Sequence, residues 1–199
     1  MDKGSERRWE NLNVALENYR LYLGRKSDDV LTLIDLLHIS NFKGGNASIT
    51  EPEAEIARKL PEYERRMDAI RNEFGTMGLA NLSNQQRASL VKMVKKTLEL
   101  SSNEQFCIRG FGPSYLSALL HAHFPDLIPI IDRRILINTR RVKRKDVNSQ
   151  LQVKSIPDHV GPLISWFHDA LQSGQASMRD LDRAQFIKPL DVAGLDESD

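Results

Sequence analysis

The sequence of 199 residues is poor in the features that define several large classes of protein. Its one cysteine, Cys107, excludes an intramolecular disulfide, a cysteine-ligated iron–sulfur cluster and a zinc site built from several cysteines. No apolar run reaches the ~20 residues of a membrane-spanning helix, and the charged N-terminus lacks a signal-peptide core. Aromatic residues make up only 7%, and the net charge is +1. We therefore expect a soluble intracellular protein.

The small net charge conceals a concentrated basic segment. Seven basic residues and no acidic ones lie between Arg133 and Lys145, which leaves a charge of −6 for the rest of the chain. Acidic residues predominate in the last stretch, from Asp180 to Asp199. A positive segment on an otherwise negative chain is typical of a protein that binds a polyanion. The alternative interpretation is a solvated loop with a chance run of charge.

Helical periodicity dominates the chain. Apolar residues recur every three or four positions, which predicts an all-α fold of eight or nine helices. The one strand-like run, Leu127–Ile131, contains Pro129 and is not expected to form a central strand. We expect a single helical domain over residues 1–190, and an acidic, flexible tail over residues 191–199.

Capping signals predict where helices begin. These signals are Ser27, Thr50 with Glu53, and Ser83 with Gln86. Because proline fits the first turn of a helix, Pro61 is expected to open a helix separate from the one that begins after Thr50.

A glycine-rich turn precedes the helix expected over residues 114–124. In Gly110-Phe111-Gly112, glycine permits positive φ and the close approach of another backbone. A preceding helix is expected to run from Leu98 to Ile108 into this turn, and Ser114 is expected to cap the next one. Free amides at a helix start can bind an anion such as a phosphate. The segment therefore predicts a turn that presents N–H groups, although such a turn is also a common tight connection.

An aspartate follows directly after the apolar run that ends at Ile131. Asp132 precedes Ile135, Leu136 and Ile137, a pattern typical of a helix N-cap. The functional interpretation is a carboxylate at the mouth of an apolar cleft. There its pKa can be raised by desolvation, or its charge can stabilise a developing cation.

These segments together resemble a known family. Gly110-Phe111-Gly112, then Ser117-Ala118, then Pro129-Ile130-Ile131-Asp132 resemble the helix-hairpin-helix, Gly/Pro-rich loop and aspartate motif of the HhH-GPD superfamily of base-excision DNA glycosylases. The resemblance implies a bilobal α-helical fold with a cleft that receives a flipped, damaged or modified base. It implies that Asp132 is the catalytic carboxylate, which stabilises the oxocarbenium character of the sugar or positions a nucleophile.

The resemblance also implies how the protein meets its partner, double-stranded DNA. Backbone N–H groups of the hairpin hold a phosphate, and its carbonyls can hold a monovalent cation; no other cofactor and no metal site are expected. Arginines after Asp132 are expected to contact the DNA backbone beside the cleft. The predicted DNA-binding residues are Arg109, Gly110, Phe111, Gly112, Pro113, Ser114, Arg133, Arg134, Arg140 and Arg141. We expect a monomer in the cytoplasm, associated with the nucleoid if the organism is bacterial.

One departure from the family pattern affects the predicted chemistry. Bifunctional members carry a lysine near the start of the second hairpin helix, which forms a Schiff base with the sugar. Here that place holds Pro113, Ser114 or Tyr115, none of which is an amine. The resemblance therefore implies a monofunctional enzyme that uses water and has no Schiff-base lyase activity. Whether another lysine, such as Lys43 or Lys154, reaches the site stays open.

Two other classes of function remain open. One is a non-catalytic helix-hairpin-helix DNA-binding protein, and the other is a helical interaction module in which Asp132 is only a cap. The loop Phe42–Asn46 is interpreted either as an ordinary connection or as a segment that lines the base pocket, and Trp9 as a core residue. The sequence does not identify the base, or separate repair of host DNA from action on modified foreign DNA.

Overall fold

A computed structural model describes residues 3–45, 47–174 and 176–195. These residues contain no β-strand beyond one isolated bridge between Val147 and Val153, so the all-α prediction is confirmed. The α-helices in this part of the chain are α1 (Lys3–Leu23), α2 (Leu33–Phe42), α3 (Glu53–Phe74), α4 (Asn84–Leu98), α5 (Pro113–His123), α6 (Arg133–Asn138), α7 (Val160–Gln172) and α8 (Met178–Ile187). None of them is long and apolar enough to cross a bilayer.

Helix α5 lies at the centre of the fold. Every residue from Leu116 to Ala122 is buried, and the helix contacts α1, α2 and α4. The hydroxyl of Ser117 donates to the carbonyl of Ile131 and accepts from its N–H, both at 3.0 Å. Because a short side chain makes both bonds, the extended segment before Asp132 lies directly against α5. This contact fixes where α6 begins.

Helix α3 runs unbroken across Pro61, so the expected separate helix at that proline is wrong. A proline inside a helix removes one backbone hydrogen bond and costs about 3 kcal/mol. The apolar stripe outweighs this cost because it is continuous on both sides of the proline. Its buried members are Ile56, Leu60, Tyr63, Met67, Ile70 and Phe74.

The predicted helix from Leu98 to Ile108 is also wrong. Helix α4 ends at Leu98, a 3₁₀ turn follows over Glu99–Ser102, and the rest of the segment is non-helical. The Ser101 hydroxyl donates to the Leu98 carbonyl at 2.7 Å, and the Asn103 side chain accepts from the N–H groups of Gln105 and Phe106. These local bonds compete with a helical backbone.

Two further boundaries differ from the sequence prediction. Helix α2 begins after Thr32, whose side chain forms a capping box with Asp35, and not after Ser27. In the segment expected to be a flexible tail, the backbone N–H of Asp191 donates to Asn138 at 2.9 Å, and Leu195 is buried. Residues 191–195 therefore pack on the domain, and residues 196–199 lie outside the described residues. The capping box of Ser83 and Gln86 is confirmed.

Candidate functional site

A pocket of about 460 Å³ lies between α1, the end of α2, the starts of α5 and α6, and α8. Its wall combines aromatic and ionisable side chains, among them Trp9, Lys43, Tyr115, Asp132, Arg179 and Asp182. A concave site with a few convergent polar groups is the usual form of a small-molecule or base-binding pocket. The pocket is large enough to receive one nucleobase.

Asp132 uses its two carboxylate oxygens for different purposes. Oδ1 accepts a hydrogen bond from the backbone N–H of Ile135 at 3.0 Å and caps helix α6. Oδ2 accepts from Nζ of Lys43 at 2.5 Å, and the carboxylate lines the pocket with 20% of its side chain exposed. The cap interpretation is therefore confirmed, and the same side chain also lies in a cleft.

The surroundings of Asp132 keep it ionised. Burial alone would raise its pKa, but the charge and hydrogen bond of Lys43, and the backbone N–H groups of Ile135 and Arg134, outweigh burial and lower the pKa below its ordinary value. A charge held by fixed donors in a partly enclosed pocket is suited to stabilise a cation that develops nearby.

Lys43 belongs to the site, whereas Lys154 does not. Lys43 directly follows α2, and its ammonium lies on Asp132. The Lys154 ammonium instead donates to the carbonyl of Lys145 at 2.8 Å. Of the segment Phe42–Asn46, Phe42 and Lys43 line the pocket, and Asn46 lies outside the described residues.

A second carboxylate in the pocket, Asp182 of helix α8, was not predicted from the sequence. Its Oδ2 accepts from Nη1 of Arg179 at 2.9 Å, and its side chain is 1% exposed. Burial, and then the nearby negative charge of Asp132, raise the pKa of Asp182 to about 7 against the opposing effect of Arg179. The spacing of Met178, Asp182 and Gln185 could have indicated this site. These three positions lie on the buried face of α8, and two of them are polar.

Arg179 is held between aromatic rings. Its guanidinium carbon lies 4.1 Å from the ring centre of Trp9 and 5.7 Å from that of Phe42, and it also donates to the side chain of Asn13. Trp9 is 6% exposed, so its predicted core position is confirmed, but it also lines the pocket. The stack and hydrogen bonds fix the plane of the guanidinium that holds Asp182.

Gly110 has the backbone geometry that the sequence predicts for it. Its φ is +87°, and an added Cβ would lie 2.1 Å from the carbonyl oxygen of Ser48. Gly112 has a φ of −75°, and an added Cβ there would meet nothing within 4 Å. The first glycine is therefore required by packing against the loop before α3, and the second leaves an open surface.

The other hairpin residues take different places. Gly112 is the N-cap of α5 and Pro113 its first residue, so the expected cap at Ser114 is wrong. Ser114 lines the pocket instead. Phe111 is fully buried and packs against Tyr115, with ring centres 5.8 Å apart, so its side chain does not face outward.

A few backbone N–H groups in the turn before α5 and at its start are free to bind an anion. Among the described residues, the N–H groups of Gly110, Gly112 and Ser114 make no hydrogen bond. The backbone N–H of Arg109 donates to Oε2 of Glu51 at 3.0 Å, whereas Arg109 as a residue is exposed. The unpaired donors that can meet a phosphate are therefore those from Gly110 onward.

The four arginines predicted to contact DNA separate into two pairs. Arg133 and Arg134 line the pocket, although Arg134 also donates to the carbonyls of Phe186 and Lys188 at 2.5 and 3.0 Å. Arg140 and Arg141 do not line it. Arg140 forms an ion pair with Asp191 at 3.2 Å, and Nε of Arg141 donates to the Thr139 carbonyl.

The comparisons with protein-family models, with curated proteins and with solved structures each gave no match. The chemistry of the site itself is therefore the basis for any function.

Proposed function

We propose that the protein is a DNA N-glycosylase that removes a damaged or modified base from double-stranded DNA by hydrolysis. The observation that carries this proposal is the ionised Asp132 at the wall of a pocket of about 460 Å³. In this proposal the base is flipped into the pocket, because its glycosidic bond is inaccessible within the stack. The Asp132 carboxylate stabilises the positive charge that develops on the sugar as the bond breaks, and water then attacks C1′.

The hairpin supports the DNA part of the proposal. The unpaired N–H groups of Gly110, Gly112 and Ser114 precede or begin α5, and Ser114 also lines the pocket. A phosphate bound to these donors would place its nucleotide beside the pocket. Arg133 supplies positive charge on the same side. The bilobal fold that the resemblance implies is part of the proposal, with the difference that the helix before the turn is α4, which ends at Leu98, and not a helix that runs to Ile108.

Base release from a panel of duplexes tests the proposal. Each duplex carries one oxidised, alkylated, deaminated or naturally hypermodified base, and abasic sites are detected as alkali-labile breaks. We expect the wild-type protein and the surface control Asp68→Asn to release at least one base. Salt-dependent DNA binding without any base release would favour the non-catalytic DNA-binding protein. The absence of salt-dependent binding would remove both DNA functions.

Lys43 favours a second candidate, a glycosylase that also cleaves the strand. Its Nζ lies 2.5 Å from Asp132, so an amine is present beside the proposed C1′ position. In this reaction the neutral amine of Lys43 forms a bond to C1′ while the base leaves with the glycosidic electron pair. Ring opening then gives an iminium ion. The ion pair opposes this step, because an ammonium held by a carboxylate has no lone pair with which to attack.

Borohydride trapping separates the two modes. Reduction of the iminium links the protein covalently to DNA, whereas hydrolysis by water leaves no adduct. We expect no adduct from the wild-type protein on a duplex whose base it releases. An adduct that disappears in Lys43→Gln would establish the strand-cleaving mode and replace the hydrolytic one.

A further inference from the structure

The unused oxygen of Asp182 is the strongest unexplained feature of the pocket. Oδ2 of this carboxyl accepts from Arg179, but Oδ1 is buried and has no hydrogen-bond partner among the described residues. A buried carboxylate oxygen without a donor is costly, and such groups are rare in folded proteins. The stack of Arg179 on Trp9 prevents the pair from turning toward another partner.

We propose that Asp182 carries a proton on this free oxygen and donates it to a ring nitrogen or carbonyl oxygen of the flipped base. This inference rests on the proposed glycosylase function and adds a base-contacting residue to it. A carboxyl whose pKa is raised to about 7 holds its proton at and below neutral pH, which agrees with the geometry. Asp132, with its lowered pKa, stays ionised in the same pocket. Two carboxyls with pKa values moved in opposite directions are the usual form of an acid beside an anionic stabiliser.

The step balances as a hydrolysis. The proton moves from Asp182 to the base while the glycosidic C1′–N bond breaks, and its electron pair leaves with the base. Water supplies the oxygen that bonds to C1′ and releases one proton to the solvent. Asp182 then regains a proton from the solvent, so the protein is unchanged.

The charge of the pocket indicates the class of base. The charged groups that line it together with Asp182 are Arg8, Lys43, Asp132, Arg133, Arg134 and Arg179. Because these are five cations and one anion while Asp182 is protonated, a cationic base is disfavoured. Alkylated purines such as 7-methylguanine carry a positive charge and need no added proton to leave. The expected substrates are therefore neutral oxidised or deaminated bases, which have a free acceptor atom and benefit from protonation.

Base release and its pH profile test the inference. The probes are duplexes with one 8-oxoguanine, hypoxanthine or uracil, compared with duplexes carrying 7-methylguanine or 3-methyladenine. The wild-type protein should release a neutral base, and its kcat/KM should fall as the pH rises through about 7. Asp182→Asn should lose roughly 100-fold or more near pH 6 and lack this alkaline fall, as expected for the removal of a general acid. Asp68→Asn, an exposed carboxylate on α3, is the matched control.

A binding measurement separates contact with the base from a structural role. A duplex with a tetrahydrofuran abasic-site analogue has no base, so Asp182→Asn should bind it as the wild type does. The same variant should bind more weakly to a duplex in which a 2′-fluoro nucleotide carries the released base and resists cleavage. Weaker binding to both duplexes would indicate a structural role and overturn the inference.

Other outcomes also decide between the two proposals. Preferred release of cationic bases, or an unchanged pH profile in Asp182→Asn, would overturn the role of Asp182 and leave the glycosylase function intact. Release of no base from any duplex would overturn the glycosylase function and this inference with it.

Discussion

Nζ of Lys43 lies 2.5 Å from Oδ2 of Asp132, although 89 positions separate the two residues in the sequence. The contact joins the end of α2 to the start of α6 across the pocket. It explains why a carboxylate with only 20% of its side chain exposed stays ionised, and it leaves Oδ1 to cap α6. One carboxylate thus serves both the local structure and the proposed chemistry.

Removal of the Lys43 charge should change the pH dependence of base release. In Lys43→Gln, burial is opposed only by the backbone donors, so the pKa of Asp132 should rise. The carboxylate is then lost as the pH falls, and activity should recover as the pH is raised. Lys43→Arg, which keeps the charge, should retain the wild-type profile on the acidic side. The kcat/KM profile against pH measures the effect, and identical acidic limbs in Lys43→Gln and the wild type would contradict it.

Substitution by alanine should reduce the free energy of unfolding much more at Gly110 than at Gly112. Gly110→Ala forces a side chain into positive φ and against the Ser48 carbonyl, so it should reduce the free energy of unfolding by more than about 2 kcal/mol. Gly112→Ala should cost less than about 1 kcal/mol, because its Cβ meets open space and only the preference of the α5 N-cap for glycine over alanine is lost. Urea unfolding measures both. A change below about 0.5 kcal/mol for Gly110→Ala would contradict the packing account.

Gly112→Ala serves a second purpose, because the variant is expected to fold normally. If the N–H groups of the hairpin hold a phosphate, a methyl group on this open surface should weaken DNA binding. An unchanged affinity would remove the hairpin from the interface.

The arginines after Asp132 should contribute unequally to DNA binding. Within the described part of the chain, the Arg133 side chain makes only a long hydrogen bond of 3.4 Å to the Gln150 carbonyl, whereas Arg140 is already paired with Asp191. Arg133→Gln should therefore reduce the slope of log affinity against log salt by about 1, and Arg140→Gln should reduce it by less. The reverse order would show that the Arg140 ion pair opens on DNA.

Local signals correctly predicted the positive φ of Gly110 and the helix cap at Asp132, because each depends on its immediate neighbours. A glycine before a helix predicts positive φ, and an aspartate before an apolar triplet predicts a cap, and both are present. The partners of these residues could not be predicted in this way. Lys43 reaches Asp132, and Arg179 reaches Trp9, only because distant helices pack together.

The missed helix boundaries have a related cause. The sequence indicates a break at Pro61, but the buried stripe of α3 continues across it, so tertiary packing overrides the local preference. The reverse holds after Leu98, where side chains such as that of Asn103 bond to the backbone and end the helix despite the apolar pattern.

Asp182 should make stability depend on pH. Its pKa is raised from 3.8 to about 7, so the folded state keeps a proton that the unfolded chain releases. The stabilising effect is complete below about pH 4 and is lost as the pH rises to about 7. Between about pH 4 and pH 7 the wild type should therefore lose up to about 4 kcal/mol of stability that Asp182→Asn, which has no carboxyl at this position, does not lose. If the stability difference between the two proteins does not change over this pH range, folding does not raise the pKa of Asp182.

The central claim is that the Asp132 carboxylate supports cleavage of the glycosidic bond. The most direct test is the rate of abasic-site formation by the wild type and by Asp132→Asn, on a duplex whose base the wild type releases. Asparagine keeps the cap of α6, so fold and DNA affinity should be retained. The account predicts a loss of at least about 100-fold in rate. An Asp132→Asn variant that is folded, binds DNA and releases the base at the wild-type rate would contradict it.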